Sequence, residues 1–160
     1  MSATEALLAI MALVVGLALA WRSGPVARVV LFSSALMVSA MLFLPGQQLA
    51  GIIGDEATQR LESAAAGTAW QLSDWVHFVI FLCLGLLLWL GRPDLRGWKG
   101  WAMIVVLAAA AELAQALTPG RQTKMDDVLL NLAGGMAGLL LAMGGVALTR
   151  LFHQDGKMER

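Results

Sequence analysis

Three residues of the types that commonly move protons lie beside long apolar stretches of this chain. Glu112 follows an unbroken apolar run that begins at Trp101, His77 lies near the start of another run, and Asp127 opens a third. A carboxylate at the centre of a membrane helix costs roughly 2.5–3.5 kcal/mol on insertion scales, so a chain that keeps one there is expected to use it. Because histidine, glutamate and aspartate are the usual general acids and bases, we take these three as hypothetical acid/base groups.

Five further polar residues near these three could bind a ligand or connect helices. They are Asp74, Gln115, Arg121, Asp126 and Asn131. A guanidinium pairs with phosphate or carboxylate through parallel N–H donors, so Arg121 is the candidate that would hold an anionic head group. Structural roles fit the same set. The aspartates could cap helices, the amides could form interhelical hydrogen bonds, and the arginine could be an interfacial anchor.

The composition places these residues in a membrane protein. Apolar residues make up 59% of the 160 residues and charged residues only 14%. Several apolar segments are each about 20 residues long, the length of a membrane-spanning helix, and they lack the polar face of a soluble bundle. The zero net charge predicts no nucleic-acid partner, and the single Cys83 allows no intrachain disulfide. No metal or cofactor is expected, because nothing in the spacing of His, Glu and Asp favours a metal site.

The hydropathy pattern predicts an all-α, polytopic membrane helix bundle, a single domain over residues 1–160 with about five transmembrane helices. We number these predicted spans 1 to 5, with bounds at about 4–21, 25–44, 74–91, 98–117 and 126–149. The only long connection lies between spans 2 and 3. Its apolar residues recur at helical spacing between charged ones, which predicts a short amphipathic helix there.

Positively charged loop residues predict the orientation of the bundle. Most Lys and Arg residues lie after span 1, after span 3 and in the C-terminal tail. In a five-span chain these regions fall on the same side of the membrane. By the positive-inside rule that side is cytoplasmic, so the N-terminus is predicted outside and the C-terminus in the cytoplasm.

This topology brings the polar residues together at the outer ends of spans 3, 4 and 5. On span 5, a single helical stripe contains Asp127, Asn131, Gly134 and Gly138, at positions i, i+4, i+7 and i+11. Glycines spaced as GxxxG allow a neighbouring helix to approach closely. Gly134 and Gly138 are therefore predicted to pack against another span. This packing would orient Asn131 toward the interior of the bundle, where spans 3, 4 and 5 would enclose an outward-facing polar site.

Four short motifs follow one another along spans 3 to 5. They are His77 with Phe78 and Phe81; Glu112 with Gln115; Pro119, Gly120 and Arg121; and Asp127, Asn131, Gly134 and Gly138. In this order and spacing, the chain between about residues 70 and 145 resembles the VanZ-like family of small bacterial integral membrane proteins. One position departs from the family pattern, in which an Asp stands four residues before the His, because Asp74 is three residues before His77.

The resemblance implies a multi-pass protein of the bacterial cytoplasmic (inner) membrane, within the cell envelope. The family is named after a protein associated with resistance to the glycopeptide teicoplanin, a property that the resemblance does not transfer. It supplies no settled activity, so whether the chain is an enzyme stays open.

Two classes of function fit the residues. In the first, the polar site binds or processes a lipid-linked or amphiphilic envelope molecule among the surrounding membrane lipids. In the second, the same residues form a buried structural network in a non-catalytic scaffold or small carrier. The uniformly apolar inner halves of spans 3 to 5 argue against transport by a monomer. The sequence does not predict the oligomeric state.

Overall fold

The described part of the chain is entirely helical. The computed structural model describes residues 3–43, 54–117 and 124–158, and within these ranges it contains no β-strand. The helices are α1 (Ala3–Trp21), α2 (Pro25–Phe43), α3 (Asp55–Ala65), α4 (Leu72–Gly91), α5 (Trp98–Ala116) and α6 (Met125–Met158), with a 3₁₀ turn at Pro93–Leu95 between α4 and α5. The predicted all-α class is confirmed, and spans 1 to 5 correspond to α1, α2, α4, α5 and α6.

Local sequence signals explain where several helices begin. Pro25 opens α2 and Pro93 opens the 3₁₀ turn, positions at which the missing backbone N–H of proline would have had no helical partner. Gly97 precedes α5 with φ 81°, a conformation that favours glycine. At the start of α4, the Asp74 carboxylate accepts a hydrogen bond from the backbone N–H of Gln71 at 2.8 Å. These signals set the ends of the helices that carry the candidate residues.

Among the described residues, three helices have the length and apolar character needed to cross a membrane. They are α4, α5 and the part of α6 from Met125 to Arg150. The last of these is 26 residues long, which corresponds to about 39 Å of helix, more than the roughly 30 Å of bilayer hydrocarbon. Shorter apolar segments lie in α1 and α2, at Ile10–Trp21 and Pro25–Ser34. A membrane helix bundle is thus confirmed as the architecture, and the number of five spans stays a prediction.

One helix end differs from the sequence-based bounds. α6 continues to Met158, whereas the sequence placed the end of its helix at 149. A polar segment can remain helical beyond the membrane, since its backbone bonds are made within the helix. The predicted amphipathic helix between spans 2 and 3 is α3, with Ala65 buried and Asp55 and Glu56 in its first turn.

The tightest packing joins α4 to α6 through glycine. A Cβ atom added at Gly134 would overlap the carbonyl oxygen of Phe78, and one added at Gly138 would overlap the carbonyl oxygen of Leu82. From the other side, a Cβ at Gly85 would overlap the carbonyl oxygen of Gly135. The two backbones therefore approach to a distance that only glycine permits. Beside this contact, the buried apolar core shared by α4, α5 and α6 is formed by Leu88, Ile104 and Leu139.

Arg92 connects α1 to the end of α4. Only 6% of its surface is exposed, and its Nε and Nη2 each donate to an oxygen of Asp94 at 2.8 Å. Its Nη1 donates to the carbonyl oxygen of Leu19 at 2.7 Å, where the last turn of α1 leaves carbonyls without helical partners. The sequence indicated only a cytoplasmic loop charge at this position. The structure turns Arg92 inward because these carbonyls and one carboxylate together can hold a buried guanidinium.

The contact with Arg92 also determines how Asp94 titrates. Hydrogen bonds from the guanidinium and its positive charge lower the pKa of Asp94 to about 2. An aspartate with a lowered pKa stabilises the fold above its ordinary pKa, and this contribution is lost as the pH falls toward the lowered value. The Arg92–Asp94 pair is therefore fully ionised across the neutral range.

Candidate functional site

Three polar side chains from three helices meet inside the bundle, where α4 and α6 begin and α5 ends. We call His77, Glu112 and Asn131 the polar cluster. Nδ2 of Asn131 donates to Oε1 of Glu112 at 3.3 Å, and Oδ1 of Asn131 lies 3.0 Å from Nδ1 of His77. Asn131 is fully buried and Glu112 is 5% exposed, whereas His77 is half-buried. The cluster thus runs from a buried carboxylate, through a buried amide, to a partly accessible imidazole.

Each helix contributes its residue about one turn inside its end. His77 lies in the second turn of α4, Asn131 in the second turn of α6, and Glu112 about one turn before the end of α5. Gly134 follows Asn131 on the same face of α6, and its contact with the backbone of Phe78 holds this face against α4. The close α4–α6 approach is therefore what brings Asn131 within hydrogen-bond distance of His77.

Gln115 extends the polar face of α5. It lies one helical turn beyond Glu112, and only 4% of its surface is exposed. The i, i+3 spacing that placed Glu112 and Gln115 on one face of the predicted helix is also present in α5. An amide and a carboxylate at this depth offer both donors and acceptors to a polar group that enters the bundle.

The aspartates occupy more peripheral places. Asp74 accepts the Gln71 N–H and also a hydrogen bond from the Ser73 hydroxyl at 3.4 Å, so its carboxylate caps α4. Asp126 is exposed and Asp127 half-buried, both in the first turn of α6, where the helix dipole favours negative charge. Arg121, together with Pro119 and Gly120, lies outside the described residues.

An aromatic cluster beside His77 was not among the sequence-based site residues. Trp70 and Trp75 have ring centroids 4.8 Å apart, and Phe78 lies 5.5 Å from Trp70 and 6.3 Å from Trp75. The indole N–H of Trp75 donates to the Thr68 hydroxyl at 3.0 Å. The i, i+3 spacing of Trp75 and Phe78 is the signal that could have indicated their contact.

A carboxylate, an amide and an imidazole in hydrogen-bonded series can accept and donate protons at the accessible end while staying ordered at the buried end. Within the described ranges, no group of three or more His, Cys, Asp and Glu side chains could hold a metal ion. The polar cluster can therefore support proton transfer and hydrogen bonding by its own side chains.

Comparison with known proteins shows a family match over nearly the whole chain. The sequence profile of a protein family described as VanZ/LLP1 matches residues 6–149. The match includes α1 and α2, which lie outside the segment of about 70–145 that carried the resemblance. No significant match was found among curated proteins or among solved structures.

Proposed function

The chain belongs to the VanZ/LLP1 family, and from this premise we propose that it binds the polar end of a lipid-linked or amphiphilic envelope molecule at the polar cluster. The observation that carries the proposal is the Glu112 carboxylate, buried in a helix long enough to cross a membrane and joined through Asn131 to a half-buried His77. Ionisable residues inside membrane helices are costly, and they commonly mark ligand or proton pathways.

The position of the cluster favours an amphiphilic ligand. Large apolar side chains on the same helices are exposed, among them Val79, Leu113 and Leu129, so acyl chains can lie along the bundle. The polar cluster lies about one turn inside the helix ends, at a depth reached by a head group rather than by an acyl chain. A molecule with both parts could therefore contact the apolar surface and the cluster together.

We assign proton transfer to His77 and Glu112, with Asp127 as a third acidic group at the rim. Arg121, two residues after Pro119 in the sequence, would hold an anionic head group such as a phosphate, because guanidinium and phosphate pair through parallel hydrogen bonds. Gln115, Asp74, Asp126 and Asn131 remain candidates for ligand contact or for support of these groups.

We further propose that the polar cluster faces outward in the bacterial cytoplasmic membrane, with the C-terminus in the cytoplasm. Arg28 donates to the carbonyl oxygen of Trp21 at 3.2 Å and Arg92 to that of Leu19, which supports a common positive end where α1 ends. A reporter pair fused after Arg150 and in the connection between α2 and α3 should indicate cytoplasm and exterior, respectively. An exterior signal from the Arg150 fusion would contradict the orientation.

Lipid binding to the purified full-length chain tests the proposed ligand class. Phosphatidic acid and diacylglycerol with identical acyl chains differ only in the phosphate, so they separate head-group recognition from acyl-chain binding. We expect phosphatidic acid, and not diacylglycerol, to raise the melting temperature in mild detergent, since a ligand of the native state stabilises it by mass action. Arg121→Gln and His77→Phe should each remove most of this rise.

The matched control is Arg96→Gln, which removes an exposed arginine at the opposite end of the bundle. Its response to phosphatidic acid should equal that of the wild type. An equal response to both lipids, or an equal loss in Arg96→Gln and Arg121→Gln, would show nonspecific binding and refute the proposed site.

A second candidate function is a non-catalytic scaffold or small carrier. The observation that favours it is that Asn131 uses both polar ends of its amide within the protein and so connects three helices. In this function the polar cluster holds the bundle together and receives no ligand. The phosphatidic acid experiment would then give the same response for wild type and for His77→Phe.

A further inference from the structure

We infer that Asn131 is a positioning residue that holds His77 in a single tautomer, with hydrogen on Nδ1 and a lone pair on Nε2. Its functional consequence rests on the proposed function, because a lone pair on Nε2 is what a proton-accepting His77 would present to a ligand. The tautomer itself follows from the contacts among His77, Asn131 and Glu112.

The direction of the Asn131 amide follows from Glu112. A carboxyl oxygen that accepts a hydrogen bond needs a donor opposite it, and of the two polar ends of an amide only the NH₂ group donates. The amide group next to Oε1 of Glu112 must therefore be the Nδ2 donor, as the 3.3 Å contact has it. Because an amide carries its oxygen on the opposite side, Oδ1 of Asn131 is left to face His77.

The direction of the amide determines which imidazole nitrogen carries hydrogen. Oδ1 is only an acceptor, and Nδ1 of His77 lies 3.0 Å from it, so Nδ1 must donate. A neutral imidazole carries a single N–H, and Nε2 therefore keeps its lone pair. Among the described residues, none hydrogen-bonds to Nε2, and His77 as a whole is half-buried.

Burial makes this arrangement stable. Asn131 is 0% exposed, so water does not compete for its amide groups. Turning the amide over would place its oxygen against the Glu112 carboxylate and its NH₂ group against the Nδ1–H, which would break both hydrogen bonds. A neutral histidine in water prefers hydrogen on Nε2, so the protein is expected to reverse the ordinary preference of this residue.

Nitrogen-15 NMR of the full-length protein in detergent micelles measures the tautomer directly. The chain has two histidines, and His153→Gln leaves His77 as the single labelled imidazole. Two-bond proton–nitrogen correlations of the neutral ring should show hydrogen on Nδ1. In the same background, Asn131→Leu should shift the ring to Nε2–H. Glu112→Gln should give a mixture, because a glutamine can face either end of the amide.

The matched control is Gln115→Leu, which removes a buried amide on α5, one turn from Glu112, and should retain Nδ1–H. If Asn131→Leu does not fold, the tautomer of His77 in Glu112→Gln alone tests the inference. An Nε2–H signal in the His153→Gln protein would overturn the inference. An unchanged Nδ1–H signal in Glu112→Gln and in any folded Asn131→Leu would also overturn it. Loss of phosphatidic acid binding with Nδ1–H present would refute the ligand and leave the tautomer standing.

Discussion

Alanine in place of Gly134 or Gly138 should sharply lower the thermal stability of the protein in detergent. The added Cβ would overlap the carbonyl oxygen of Phe78 in the first case and of Leu82 in the second. Both obstacles are backbone atoms of α4, which no side-chain rotation can move, so the two helices must separate. Overpacking of this kind costs on the order of 1–3 kcal/mol, and leucine at either position should cost more than alanine.

The same helix provides the control for this prediction. Nothing lies within 4 Å of a Cβ added at Gly144 or Gly145. Alanine exceeds glycine in helix propensity by about 0.8–1.0 kcal/mol, so Gly144→Ala should melt at or above the wild-type temperature. Unfolding can be followed by the fluorescence of the six tryptophans. If Gly134→Ala and Gly138→Ala melt together with Gly144→Ala, the close α4–α6 contact is refuted.

Two substitutions of Glu112 should differ strongly in stability. Glu112→Leu leaves Nδ2 of Asn131, which is fully buried, without the acceptor that now lies 3.3 Å away. An unsatisfied buried donor costs about 1–3 kcal/mol, so this variant should unfold at a clearly lower temperature. Glu112→Gln keeps the shape of the side chain and an oxygen that can accept the same hydrogen bond, and its melting temperature should stay near that of the wild type.

Glu62→Leu, at an exposed position on α3, is the control for the change of charge and side-chain type. Equal melting temperatures for Glu112→Leu and the wild type would mean that the hydrogen bond to Asn131 contributes nothing to stability. The stable Glu112→Gln protein then separates the two candidate functions. Its response to phosphatidic acid should differ from that of the wild type if the carboxylate belongs to a ligand site, and should match it in a scaffold.

The helical architecture could be predicted from the sequence because hydropathy and helix breakers act locally. Pro25 begins α2 in the structure as its position predicts, and Gly91 ends α4 at the predicted residue. The end of α6 was missed, since no proline follows Thr149 and a polar sequence does not by itself end a helix. Apolar length thus locates a helix within the membrane and says little about how far it continues beyond it.

The partners within the polar cluster required the three-dimensional structure. Helical spacing placed Asn131 on the face of Gly134 and Gly138, and the structure turns this face toward α4. Spacing within one helix carries no information about the rotation of its neighbours, so it could not identify Asn131 as the residue between His77 and Glu112. The inward position of Arg92 was hidden for the same reason, because its partner carbonyl belongs to a helix far away in the sequence.

The contact between Arg92 and Leu19 gives the membrane assembly of this chain a minimum duration. The two residues are 73 positions apart, and ribosomes add about 5–20 residues per second. Once Leu19 has been synthesised, roughly 4–15 s therefore pass before Arg92 exists to bind it. During this interval the carbonyl end of α1 must be solvated by water or lipid head groups. Helix α1 thus gains its hydrogen bond from Arg92 only after the ribosome has passed the end of α4.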